Sequence, residues 1–146
     1  MTQKLILTWD DLQRDVQALA GELSAQQGWN GIVAIARGGL VPASLLAYEL
    51  NIRTVETISL ASYDEDHQQT ELKLLKGPSE ALGDGTGWLI IDDLVDTGET
   101  TRLVRELLPQ ACMAVIYAKP QGKPVVDKFV REVSQETWIV FPWEES

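Results

Sequence analysis

The sequence predicts a single α/β domain over 1–146 with a mainly parallel central sheet flanked by helices, and three observations predict it. The length, 146 residues, suits one compact three-layer domain and is short for two. Strand-like runs at 32–36, 54–60, 88–91 and 113–117 alternate with stretches of helical spacing, as in βαβ units. Ile32-Val33-Ala34-Ile35-Ala36 is apolar throughout, which suits a central parallel strand covered on both faces.

The elements follow in order. Thr8 can cap a helix opening at Trp9-Asp10-Asp11, and Leu12, Val16, Leu19, Ala20 and Leu23 carry it to about Gln26. Gly28 to Gly31 turns the chain into the strand at 32–36, which Arg37-Gly38-Gly39 interrupts. Pro42 suits the first turn of a second helix; Leu45, Leu46, Tyr48 and Leu50 supply its buried face, and Asn51 can close it. Thr54 to Leu60 reads as a strand. Asp64 to Gly87 shows neither period, holds only a short Leu72, Leu74 and Leu75 patch, and reads as a structureless lid or binding loop. Trp88 to Ile91 is a third strand, Glu99 to Leu108 a helix stopped by Pro109, and Met113 to Tyr117 a fourth strand. Short strands and turns follow around Pro120, Pro124 and Pro142.

Composition narrows the function. Hydrophobic content of 45% and charged content of 23% are those of a folded globular chain. No apolar run approaches the ~20 residues of a membrane span, and no export signal is visible. Cys112 has no partner for an internal disulfide and is expected to pack as a small buried side chain in a reducing compartment, which points to the cytoplasm. With 12 basic against 22 acidic residues, net charge −10, the chain is no general nucleic-acid binder. A phosphorylated small molecule needs only a few convergent donors and a cation.

Such a site is legible in Ile90-Ile91-Asp92-Asp93-Leu94-Val95-Asp96-Thr97-Gly98-Glu99-Thr100-Thr101. A buried strand runs into two adjacent acids, then a Thr/Gly turn opens a helix just after Gly98. Unpaired N–H groups and the positive dipole end can hold a phosphate, with Thr97, Thr100 and Thr101 adding hydroxyls. Asp92 and Asp93 repel each other and need a cation or a diol; a ribose with bound Mg²⁺ supplies both. An ordinary helix cap would explain Asp96 or Thr97 alone. Neither the Gly-x-x-x-x-Gly-Lys phosphate loop nor the Gly-x-Gly-x-x-Gly dinucleotide fingerprint is present, since Gly83, Gly85 and Gly87 precede a strand. Ligands of open α/β sheets lie at the carboxyl ends of the strands, a rule that gathers Arg37-Gly38-Gly39, Asp92 to Thr101 and Lys119 on one edge. Trp138 is either core or the cover of a planar base, and Trp9, Trp29, Trp88 and Trp143 are assigned to packing. His67, the only histidine, falls in the polar loop and gives no His-based triad or zinc site.

The acid-acid-x-x-Asp-Thr-Gly-x-Thr run resembles the phosphoribosyl diphosphate (PRPP) motif of type I phosphoribosyltransferases. Trp9-Asp10, Arg37 to Pro42, Ser62-Tyr63-Asp64, Glu71-Leu72-Lys73, Ala118-Lys119-Pro120 and Thr137-Trp138-Ile139 occur in the order seen in the purine branch of that family. The resemblance implies transfer of the 5-phosphoribosyl group from PRPP to a 6-oxopurine, with guanine, xanthine and hypoxanthine in that order, on a type I fold with a mobile lid and a small C-terminal hood. It further implies that Asp92 and Asp93 hold ribose hydroxyls and Mg²⁺, that Asp96, Thr97, Gly98, Glu99, Thr100 and Thr101 hold the 5′-phosphate, and that Arg37 and Gly38 hold the diphosphate. Asp96 would also be the catalytic base near purine N7. Lys119 would meet the 6-oxo group, the backbone at Trp138 and Ile139 the substituent on C2, and Ser62, Tyr63 and Lys73 would belong to the lid. A cis linkage at Arg37–Gly38, a homo-oligomer (dimer or tetramer) and peripheral association at the inner membrane belong to the same expectation. The chain departs from the family pattern at Thr70 and at Val140-Phe141. A PRPP- or nucleotide-sensing regulator on the same fold is the alternative.

Overall fold

The computed structural model describes residues 3–26, 28–65 and 69–144, with backbone alone at 63–65 and 69–70. The chain runs β1 (Lys4–Ile6), α1 (Trp9–Leu23), β2 (Gly31–Ala36), α2 (Leu40–Glu49), β3 (Val55–Glu65), β4 (Gln69–Lys76), β5 (Trp88–Val95), α3 (Glu99–Leu107), β6 (Cys112–Ala118), β7 (Arg131–Glu132) and β8 (Trp138–Val140). The main sheet has the order β4-β3-β2-β5-β6-β7, and β1 and β8 form a separate parallel pair. Within the main sheet only β3 and β4 pair antiparallel.

Strand alternation divides the core between the two faces. Ile32 and Ala34 of β2, Leu89 and Ile91 of β5, and Ala114 and Ile116 of β6 pack with Leu12, Val16, Leu19 and Leu23 of α1 and with Ala43 and Leu46 of α2. Their neighbours Val33, Ile35, Trp88, Ile90 and Met113 point the other way, against Val104 of α3 and Leu108. Both sheet faces are thus covered, and the all-apolar runs need no further explanation. A capping box opens α1: Thr8 Oγ1 accepts from the Asp11 N–H at 3.0 Å, and Asp11 Oδ2 accepts from the Thr8 N–H at 2.9 Å. Asn51, at φ 54, follows the end of α2 in the left-handed conformation, as its side chain allows.

One buried polar contact ties α1 to the sheet. The Tyr117 hydroxyl donates to Asp15 Oδ2 at 2.5 Å, and Arg131 reaches Asp15 Oδ1 at 3.2 Å. Burial, and then the Asp15 hydrogen bond, hold the phenol well above its usual pKa, so it remains a neutral donor. Tyr117→Phe is expected to lower stability by about 1.5–3 kcal/mol, the range for a hydrogen bond to a charged group. Urea denaturation measures it, and an unchanged midpoint would mean that Arg131 alone satisfies the carboxylate.

The structure corrects several expectations. The stretch from Asp64 is not a structureless loop, because Glu65 belongs to β3 and Gln69–Lys76 forms β4, paired from Ser59↔Lys76 to Glu65↔Gln69. β4 is an edge strand largely exposed on both faces, so it lacks the apolar run that marks a covered strand, and its charges guard the open edge. β1 is too short to show a period, and it exists by pairing with β8. Trp88–Val95 is longer than the expected Trp88–Ile91, because pairing with β6 runs on past the acids to Leu94↔Tyr117 and Val95↔Ala118. Cys112 begins β6 and is half-buried instead of enclosed. Trp9 is 54% exposed and makes a tilted ring contact with Trp143, whose ring stacks on Phe141 at 4.9 Å. His67 lies outside the described residues.

Candidate active site

β2 and β5 are neighbours, yet one is followed in space by β3 and the other by β6, so the order switches between them. Their exits face one another at that switch, where ligands of such sheets bind. The cis peptide is Ala36–Arg37, one bond earlier than the expected Arg37–Gly38. The chain reverses at the last strand residue, with the Gly39 N–H donating to the Ile35 carbonyl at 2.8 Å, while the two glycines are occupied with close approach to β5. A Cβ at Gly39 would lie 2.3 Å from the Ile91 carbonyl, and one at Gly38 would lie 2.7 Å from both carboxylate oxygens of Asp93. Arg37 is exposed on the rim.

Asp92 and Asp93 sit side by side at the end of β5, half-buried. The Asp93 N–H donates to Asp92 Oδ1 at 2.9 Å and the Leu94 N–H to Asp93 Oδ1 at 2.7 Å. Burial, and then the neighbouring Asp93 charge, push the Asp92 carboxyl well above the ordinary range; burial raises Asp93 as well. A carboxyl whose folded pKa is raised binds its proton more tightly when folded. Its ionised form therefore costs stability above that pKa, and the cost disappears as pH falls towards the ordinary value of 3.8. Asp92→Asn should accordingly melt higher than the unsubstituted protein at about pH 8 without metal, with the gap narrowing towards about pH 4. A lower melting temperature at both would make Asp92 a structural group.

Beyond Asp96 and Thr97, Gly98 at φ 95 opens α3, and no side chain caps the first turn. The orphan N–H groups there face a cleft of about 340 Å³ lined by Asp92, Asp96, Thr97, Gly98, Thr100 and Thr101, which Ser62 of β3 joins. A second cleft, of about 370 Å³, is lined by Asp93, Lys119, Gln135, Trp138 and Ile139 among others. Asp96 and Leu94 line both.

Lys119 is only 8% exposed, unlike an ordinary surface lysine. Its N–H donates to the Val95 carbonyl at 3.0 Å, and its Nζ lies 3.4 Å from Asp96 Oδ2. Gly122 keeps this loop tight, since a Cβ there would meet Val95 at 2.4 Å. Trp138 is 64% exposed at the mouth of the second cleft, held by its N–H to the Gln3 carbonyl at 2.7 Å, while Ile139 is buried behind it.

Most of the sequence-selected residues line these two clefts, Ser62 of the expected lid among them; Arg37 and Gly38 line neither, Gly38 lying against Asp93. Lys73 stands on exposed β4 opposite Ala61, away from the lining of either cleft, and the Tyr63 side chain lies outside the described residues. Gln135 and Glu144 were missed; each is a lone polar residue without pattern in a turn-rich stretch, and only the tertiary fold brings it to the base-side cleft.

Residues 3–146 match the phosphoribosyl transferase domain model. The chain belongs to the phosphoribosyltransferase family. It is 56% identical over 138 residues, 94% of this chain and 83% of the other, to a xanthine-guanine phosphoribosyltransferase of Nitratidesulfovibrio vulgaris. It is 51% identical over 142 residues, 97% of this chain and 85% of the other, to the protein of the same name from Chromohalobacter salexigens. A crystal structure of purine phosphoribosyltransferase from Pyrococcus horikoshii superposes with a TM-score of 0.85 at 32% identity, covering 98% of this chain and 95% of that one. The phosphoribosyltransferase fold accounts for the mainly parallel sheet with its flanking helices.

Proposed function

We propose that the chain is a purine salvage enzyme that transfers the 5-phosphoribosyl group from PRPP to N9 of a 6-oxopurine, giving the nucleoside 5′-monophosphate and diphosphate. The observation that carries this is the sharing of Asp96 by the two clefts: one suits a phosphorylated sugar, the other a planar base, and a bond joining sugar to base would form beside it. Uncapped N–H groups and threonine hydroxyls receive the 5′-phosphate, and Arg37 and Gly38 the diphosphate. Lys119 donates to O6, and Trp138 covers the ring. As N9 bonds to the anomeric carbon and diphosphate departs, Asp96 takes the proton from N7.

The adjacent carboxylates fit Mg²⁺. Among the described residues no group of three or more acidic, histidine or cysteine ligands forms a closed site, and Mg²⁺ characteristically uses one or two carboxylates while substrate oxygens and water complete its shell. Asp92 and Asp93 would hold it, and when bound it balances the charge of the leaving diphosphate. Half-buried and side by side, the two carboxyls ionise more readily with a cation or ribose hydroxyls beside them.

Turnover with Mg²⁺, PRPP and each of guanine, xanthine, hypoxanthine, uracil and orotate tests the proposal. No product with any purine would sink it. The alternative, a PRPP- or nucleotide-sensing regulator with little catalysis, is not favoured, since the relatives at 51% and 56% identity are named as xanthine-guanine phosphoribosyltransferases. The setting proposed with this reading is the cytoplasm or the inner face of its membrane, and the assembly a homo-oligomer. Among the described residues no helix is long and apolar enough to cross a membrane.

A further inference from the structure

Asp96 is exposed, and a side chain so placed has rotamer freedom to lose before it can act. Something must hold it. Its Oδ1 accepts from Gln135 Nε2 at 2.7 Å, while Oδ2 faces the Lys119 ammonium across a looser 3.4 Å. The Gln135 amide is itself oriented: its Oε1 accepts from the Gln121 N–H at 2.9 Å. A backbone N–H can only donate, so the oxygen of Gln135 must face Gln121 and its NH₂ must face Asp96. One side chain therefore links the turn after β5, the loop after β6 and the turn before β8.

We propose that Gln135 is a positioning residue for the transfer, holding one oxygen of the Asp96 carboxylate so that the other is presented to the purine. This rests on the reading of Asp96 as the acceptor of the N7 proton. Gln135 lines the base-side cleft and not the phosphate-side one, so its influence falls on the base-directed step and leaves PRPP binding alone. A carboxylate released from this contact samples orientations in which neither oxygen meets N7, and small misplacements of that kind cost up to about 100-fold in rate.

Two variants separate positioning from mere support of the hood. Gln135→Ala removes the amide. Gln135→Glu keeps the length and the acceptor for the Gln121 N–H but replaces the donor facing Asp96 by an oxygen. Both are expected to lower kcat with guanine by about 10- to 100-fold while the KM for PRPP stays within about twofold. Melting temperature should be unchanged in Gln135→Ala, whose side chain is only partly buried. In an Asp96→Asn background, Gln135→Ala should lower kcat no further, because the two residues act as one unit. Unchanged kcat in both single variants would overturn the proposal alone, as would full retention in Gln135→Glu or an additive loss in the double variant. Wild-type turnover by Asp96→Asn would instead overturn the reading of Asp96, and the proposal with it.

Discussion

Adenine is expected to turn over with a kcat/KM about 10⁴–10⁵-fold below that of guanine, the discrimination reached by sites built around one specific hydrogen bond. The Lys119 ammonium has three donors and no acceptor, so it suits the carbonyl at C6 of an oxopurine and leaves the 6-amino group of adenine facing another donor. The lysine cannot readily withdraw, because its backbone is fixed to Val95 and its carbonyl accepts from Gly122 at 3.1 Å and Lys123 at 2.9 Å. Nor is it hydrated enough to tolerate a mismatch, being 8% exposed. Steady-state kinetics with the two bases measure the ratio. Lys119→Met should narrow it chiefly by losing guanine, and comparable turnover of adenine and guanine by the unsubstituted enzyme would remove Lys119 from position 6. Among oxopurines guanine is expected first, xanthine second and hypoxanthine third. Val140 is buried away from the cleft and Phe141 contributes an apolar wall, so the order rests on the backbone at Trp138 and Ile139.

Asp96→Asn should lower kcat by about 10²–10⁴-fold, the usual worth of a positioned general base, with little change in PRPP affinity. Asparagine keeps the shape and an acceptor for Gln135 but gives up the basic oxygen. The α3 N-terminus and the threonines proposed to receive the 5′-phosphate are left in place by the substitution. Single-turnover rates beside PRPP titrations separate the two quantities. Equal losses in both would show that Asp96 shapes the turn and does not accept the proton.

The phosphate side of the site was legible because its chemistry is written in consecutive residues: Asp92 to Thr101 carry strand end, acid pair, turn and helix start in one run. The Arg37-Gly38-Gly39 turn was legible for the same reason, and the structure adds why glycine is needed, since Asp93 and the Ile91 carbonyl occupy the space of any Cβ. The base side was less so. Trp138 stood undecided between core and cover because exposure depends on which strand β8 meets, and that partner is the far-removed β1. Gln135 was invisible, as a single amide acquires meaning only when Gln121 and Asp96 are folded against it. β4 carries no strand signal in the sequence because an edge strand is sustained by backbone pairing and needs no apolar period.

The pairing of β1 with β8 carries a consequence for the order of assembly. Translation delivers Lys4–Ile6 first among the strands and Trp138–Val140 last, and domains begin to organise as they emerge. Among the described residues β1 has no strand neighbour besides β8, so it finds its partner only after β2 to β7 have been made. The strands and turns proposed to hold the sugar phosphate, from β2 through α3, are made before then. The turn between β5 and α3, and Lys119 after β6, are therefore made before β8 brings Trp138 and Ile139 to complete the second cleft.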